Sequence, residues 1–114
     1  MGELEEAMGQ LQAHSQQLQG IAGQKQAYII QLNEIEKTLE YLKNSSGEKI
    51  YRAVGSIIIE SSLEEVKKEL EEKKEDAELR IKTLESHEEK AKKKMKESHD
   101  KFEKLAEHHE SAAE

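Results

Sequence analysis

Ile50-Tyr51-Arg52-Ala53-Val54-Gly55-Ser56-Ile57-Ile58-Ile59-Glu60-Ser61 stands apart from a sequence otherwise built mainly of Glu, Lys, Gln, Leu and Ala. Two runs rich in β-branched and aromatic residues flank Gly55-Ser56, the composition of two strands joined by a tight turn. Gly55 supplies the positive φ angle that such a turn demands. A two-stranded hairpin is marginal in water by itself, and the consecutive Ile57, Ile58 and Ile59 place apolar side chains on both of its faces. Its unpaired edges invite further strands. The stretch therefore predicts a hairpin over about 50–61 that is completed by hairpins of other subunits.

Outward from the hairpin, both flanks read as helix. On the N-terminal side the segment from Leu4 to Leu42 lacks proline and carries apolar or small residues in alternating steps of four and three: Leu4, Met8, Leu11, Ser15, Leu18, Ala22, Lys25, Ile29, Leu32. That spacing marks a coiled-coil seam. The seam then shifts to Ile35, Leu39 and Leu42, two steps of three in succession, a slip that overwinds a coiled coil. Gly20 and Gly23 weaken the middle of this helix and admit two readings, close approach of a partner helix or local flexibility. Lys43-Asn44-Ser45-Ser46-Gly47-Glu48 is the stop signal.

On the C-terminal side Ser62-Leu63-Glu64-Glu65 fits a capping box, with the serine accepting from a free amide and Glu65 reaching back. The seam that follows reads Leu63, Val66, Leu70, Lys73, Ala77, Ile81, Leu84, Glu88, Ala91, Met95, Ser98, Phe102, Leu105, with a stutter around Ala77. The expected architecture is one mainly α domain over residues 1–114. It is a long antiparallel two-helix coiled coil, with helices over about 3–43 and 63–110 and the β-hairpin at their connection. Two similar helices of about 60 Å each, joined by a short link, pack antiparallel and bring both chain ends together away from the hairpin.

Composition agrees with thin helices. Charged residues make up 38% and the apolar set 34%, against about 25% and 45–50% in compact domains. Disorder shares that profile, but six glycines, no proline and the abundance of helix formers favour helices. There is no cysteine, hence no disulfide framework or thiolate metal site. No apolar run approaches a membrane span, and the acidic Met1-Gly2-Glu3-Leu4-Glu5-Glu6 is unlike a signal peptide. The expectation is a cytoplasmic protein with no membrane partner. A formal charge of −7 opposes nonspecific nucleic-acid binding, and Lys92-Lys93-Lys94, set among Glu88, Glu89 and Glu97, reads as a solvated helix face.

No chemistry-bearing constellation emerges, so the chain reads as neither an enzyme nor a holder of metal or cofactor. His87, His99, His108 and His109 contain no histidine pair at the i, i+4 spacing of a helical zinc site. Gly20-Ile21-Ala22-Gly23 matches no phosphate-binding fingerprint, and two thin helices offer no pocket to shift a carboxyl pKa. Near the paired chain ends lie Leu4, Ala7, Met8 and Leu11 on the first helix, with Phe102, Leu105 and Ala106 on the second. They fit equally as an adaptable ligand-facing surface and as the last layers of the seam.

Gln24-Lys25-Gln26, Leu32-Asn33-Glu34 and, most specifically, Ile50-Tyr51-Arg52-Ala53-Val54-Gly55 followed by Ile57-Ile58-Ile59 resemble the beta subunit of archaeal-type prefoldin over nearly the whole chain. The single hairpin matches the beta class, where the alpha class carries two. The resemblance implies a hexamer of two alpha and four beta subunits built on a double barrel of hairpins. It implies ATP-independent capture of non-native polypeptides at the distal coiled-coil tips and their transfer to a group II chaperonin. Carried onto this chain, the assembling positions are Ile50, Tyr51, Val54, Gly55, Ile57, Ile58 and Ile59, and the tip contacts are Leu4, Met8, Leu11, Phe102 and Leu105. The terminal Glu107-His108-His109-Glu110 is more polar than a hydrophobic tip. The competing reading is a homo-oligomeric coiled-coil spacer whose hairpins clamp subunits together.

Overall fold

In the computed structural model, which describes residues 2–45 and 49–113, the chain runs α1 (Glu3–Lys43), β1 (Ile50–Val54), β2 (Ile57–Ser61) and α2 (Leu63–Ala113). The hairpin falls where the β-branched runs place it, and α2 continues three residues past its expected end at 110. α1 closes at Lys43, where the Ser45 N–H donates to the Leu42 carbonyl at 3.1 Å. Ser46, Gly47 and Glu48 of the expected stop signal lie outside the described residues. At the start of α2 the Ser62 hydroxyl oxygen accepts from the Glu65 N–H at 3.1 Å, as a helix cap should. The Glu65 carboxylate takes a different partner from the one a capping box supplies: it accepts from the Ser61 hydroxyl at 3.4 Å.

Burial corrects the seam. On α1 the buried and half-buried positions include Leu4, Ala7, Leu11, His14, Leu18, Ile21, Lys25, Tyr28, Leu32, Ile35, Leu39 and Leu42, alternating steps of three and four without a break. Met8, expected in the seam, is 50% exposed and Ala7 is 2% exposed in its place; Ala22 likewise yields to Ile21. On α2 the corresponding positions include Leu63, Lys67, Leu70, Lys74, Ala77, Ile81, Leu84, Glu88, Ala91, Met95, Ser98, Phe102 and Leu105; Lys74 replaces the expected Lys73, while Val66 is half-buried as expected, beside Lys67. Ser15 and Ile29 are half-buried as expected, but the unbroken series passes through Tyr28 before Leu32 and Lys74 before Ala77, without the expected slip or stutter. Each helix keeps one heptad spacing of buried and half-buried residues along its length.

The internal contacts divide the chain into two compact units, Met1–Lys25 with Lys82–Glu114, and Gln26–Ile81. In the first, Gly2–Glu5 share a groove with Leu105, His108 and His109, while Gln17 and Ile21 share one with His87 to Lys94. Advancing along α1 therefore means retreating along α2, an antiparallel pair. Lys25 Nζ meets Glu88 Oε1 at 3.1 Å across this seam. Counting back by heptads from that pair sets Leu18 opposite Met95 and Leu11 opposite Phe102.

The second unit is also antiparallel, since Tyr28 pairs with Arg80 whereas Leu39 and Lys43, farther along α1, share a groove with Lys67, Glu71 and Lys74. Ala77, 1% exposed, and Ile35 are its most buried seam residues. Arg80 lies 5.5 Å above the Tyr28 ring and donates to the Tyr28 hydroxyl at 3.1 Å and to Asp76 at 3.0 Å. The Asp76 hydrogen bond and charge, then those of Tyr28, raise the Arg80 pKa further above its high ordinary value.

Gly20 and Gly23 are exposed within α1, and a Cβ built on either meets nothing within 4 Å. Close helix approach therefore does not explain them. A Gly20→Ala/Gly23→Ala chain should gain about 1 kcal/mol per site, read as a rise in the helix melting temperature by circular dichroism; an unchanged or lower melting temperature would contradict open-space placement.

Candidate functional site

Gly55 adopts φ 61° at the hairpin turn, the left-handed conformation expected of it. Register across the hairpin pairs Val54 with Ile57, Ala53 with Ile58, Arg52 with Ile59, Tyr51 with Glu60 and Ile50 with Ser61. Strand alternation then sorts side chains onto two faces. One face carries Ile50, Arg52, Val54, Ile57, Ile59 and Ser61; the other carries Tyr51, Ala53, Ile58 and Glu60.

The first face leans on its own subunit. Arg52 donates from Nη2 to Glu69 Oε1 at 2.7 Å, tying the hairpin to the second turn of α2, and Lys73 reaches the same carboxylate oxygen at 3.7 Å. These pairs are exposed and each contributes less than about 1 kcal/mol, so they orient the hairpin more than they stabilise it. The sequence reading missed this tether, although a lone arginine inside an apolar strand is its visible signal. Ile50 is half-buried, whereas Tyr51, Val54, Ile57, Ile58 and Ile59 are exposed, Ile58 most of all at 72%. Each strand is hydrogen-bonded along one edge only among the described residues. Clustered apolar side chains beside free strand edges mark an interaction surface.

The paired chain ends form a second locality, inside the other unit. Leu4, Leu11, Phe102 and Leu105 are half-buried at seam positions, while Met8 projects into solvent. Leu4 and Leu105 share a groove with Gly2, Glu3, Glu5, His108 and His109. Seam membership and partial exposure coexist at these residues because a two-helix layer covers each side chain on one side only.

One further cluster arises from a pattern that a search for histidine pairs overlooks. His99 lies 3.7 Å from Glu103 at the i, i+4 spacing, and with Asp100 the ligand-type atoms fall within 4.8 Å of one another. All three are exposed on a single helix, and i, i+4 side-chain proximity along that helix accounts for the placement of His99 and Glu103.

A single hairpin with exposed apolar side chains, joining two long helices, defines a prefoldin-like class of subunit. The chain belongs to the prefoldin family: residues 5–108 match the family described as prefoldin subunit, a family of chaperone subunits. Within the family it is of the archaeal-type beta class. It is 40% identical to prefoldin subunit beta of Archaeoglobus fulgidus, over 92% of this chain and 95% of that one. It is also 40% identical to prefoldin subunit beta of Thermococcus onnurineus, over 79% and 78% of the two chains. The crystal structure of the prefoldin beta subunit from Thermococcus strain KS-1 superposes with a TM-score of 0.83 at 31% identity, covering 90% of both chains.

Proposed function

We propose that this chain acts, as one domain over residues 1–114, in a cytoplasmic ATP-independent chaperone. Its hairpin joins those of a prefoldin alpha subunit and further beta copies in a hexamer of two alpha and four beta chains. The coiled-coil ends capture non-native polypeptides and release them to a group II chaperonin. The observation that carries the reading is the hairpin, whose exposed apolar side chains lie on both faces of an otherwise charged subunit.

The capture step follows from multivalency. Leu4, Met8, Leu11, Phe102 and Leu105 offer little apolar surface at one coiled-coil end, so one end binds weakly. Several tethered ends acting on one client raise the effective concentration and hence avidity, while each weak contact still lets go when a downstream chaperonin competes. Non-specific capture suits this surface because Met and Leu adapt to varied apolar side chains.

The half-burial of Leu4, Leu11, Phe102 and Leu105 in the seam favours the competing reading, a spacer whose ends are structural. Native mass spectrometry of the chain mixed with an alpha subunit from the same source tests assembly; homo-oligomers that ignore the alpha chain would support the spacer. For capture, a Phe102→Ser/Leu105→Ser chain should lose most suppression of client aggregation while keeping the parent assembly mass. Since those residues also close the seam, Met8→Ser separates contact from fraying: Met8 is exposed, and its loss should lower suppression without altering helicity. Full suppression by all these variants would remove these side chains from client capture.

A further inference from the structure

We propose that the groove at the paired chain ends selects, among non-native polypeptides, segments in which a large apolar side chain is flanked by Lys or Arg. The inference rests on the capture reading above and names the client chemistry it prefers. The groove, of about 390 Å³, is lined by Gly2, Glu3, Leu4, Glu5, Leu105, His108 and His109. Leu4 and Leu105 are half-buried beneath it, giving an apolar floor with room for a large side chain. Among the described residues its fixed charges are the carboxylates of Glu3 and Glu5, with no Lys or Arg in the lining.

Two other grooves along the helices differ. One in the same unit is lined by Lys90 and Lys94 with no carboxylate. One in the hairpin-bearing unit mixes Glu36, Glu40 and Glu71 with Lys43, Lys67 and Lys74. Elsewhere carboxylates such as Glu60, Glu69, Asp76 and Glu88 hold ion pairs, whereas Glu3, Glu5 and Glu6 have none among the described residues. The helix dipole explains acidic residues in a first turn. It does not explain why the facing stretch of α2 presents His108 and His109 to the groove instead of a neutralising lysine. An apolar floor beneath uncompensated carboxylates complements an apolar residue with cationic neighbours, and the attraction steers weak, fast encounters.

The test uses the full chain in the assembly it forms and three labelled peptides sharing an apolar Leu-Phe-Leu centre, flanked by Lys, Ser or Glu. At low salt the Lys-flanked peptide should bind about fivefold tighter than the Ser-flanked one, the Glu-flanked one weaker still, and the gap should close in high salt. Glu3→Gln/Glu5→Gln should abolish the gap, bringing the three peptides to one affinity. Glu36→Gln/Glu40→Gln, which removes equal charge from the other unit, should preserve it. Equal binding of all three peptides, or a gap that both double variants close alike, overturns the selection while leaving capture intact. Binding of none of them overturns capture and selection together.

Discussion

An Ile58→Asp chain should remain helical and fail to assemble. Ile58 is 72% exposed and sits opposite Ala53, on the hairpin face that makes no ion pair with α2 among the described residues. Its contribution to the isolated subunit is therefore small, and a polar residue there costs the monomer little. In an assembly sealed by hairpins the same position becomes buried, and an unpaired carboxylate taken out of water costs several kcal/mol. Each beta copy repeats that penalty. Far-ultraviolet circular dichroism should show parent-like helicity, while native mass spectrometry with the alpha subunit should show free chains in place of hexamer. A hexamer of parent mass and stability would remove Ile58 from the interface. Arg52→Ala makes a useful contrast, because it cuts the 2.7 Å bond to Glu69 without introducing a charge; assembly should weaken only modestly through loss of hairpin orientation.

The hairpin was the most legible part of this chain in its sequence. Strand signals are local: β-branched runs on both sides of Gly55-Ser56 need no knowledge of the rest of the fold, and they place β1 and β2 correctly. The helices were legible in extent but less so in facing. Between neighbouring positions, apolarity alone prefers Met8 over Ala7 and Ala22 over Ile21 only if the register is already chosen, and His14 and Tyr28 look like poor seam members. The strict seven-residue spacing of Leu4, Leu11 and Leu18, then Leu32 and Leu39, was the stronger clue. Long polar residues such as Lys67 and Lys74 enter the seam because their methylene stems cover apolar surface while the ammonium reaches water. At the chain ends the sequence identifies apolar residues, but whether a side chain closes a layer or projects depends on the facing helix. That is why Met8 and Leu11 part company.

Lys25 and Glu88 were readable as seam positions and not as partners, and their pairing leads to the second large effect. Lys25 stands a heptad from Leu18, Glu88 a heptad from Met95, and the two meet at 3.1 Å with side chains 25% and 16% exposed. Lys92 approaches the same Glu88 oxygen at 3.9 Å. Sliding the helices by one heptad in one direction sets Lys25 against Met95, and in the other sets Glu88 against Leu18. Either slip strands a charge in an apolar layer, so the pair fixes the register much as a single polar layer does in parallel coiled coils. Glu88→Ala leaves Lys25 unpaired in the seam and should destabilise by about 2 kcal/mol, a fall on the order of 10 °C in melting temperature. Lys25→Leu/Glu88→Leu should instead melt above the parent, because burying two leucines avoids the desolvation of two ions, and yet define the register less sharply. Spin labels at Gln17 and Lys94, which line one groove in the parent, should give a single narrow distance there and a broadened distribution in the double-leucine chain. If that chain keeps the narrow distance, the flanking leucine and alanine layers set the register by themselves; if Glu88→Ala melts with the parent, the pair carries no weight in the seam.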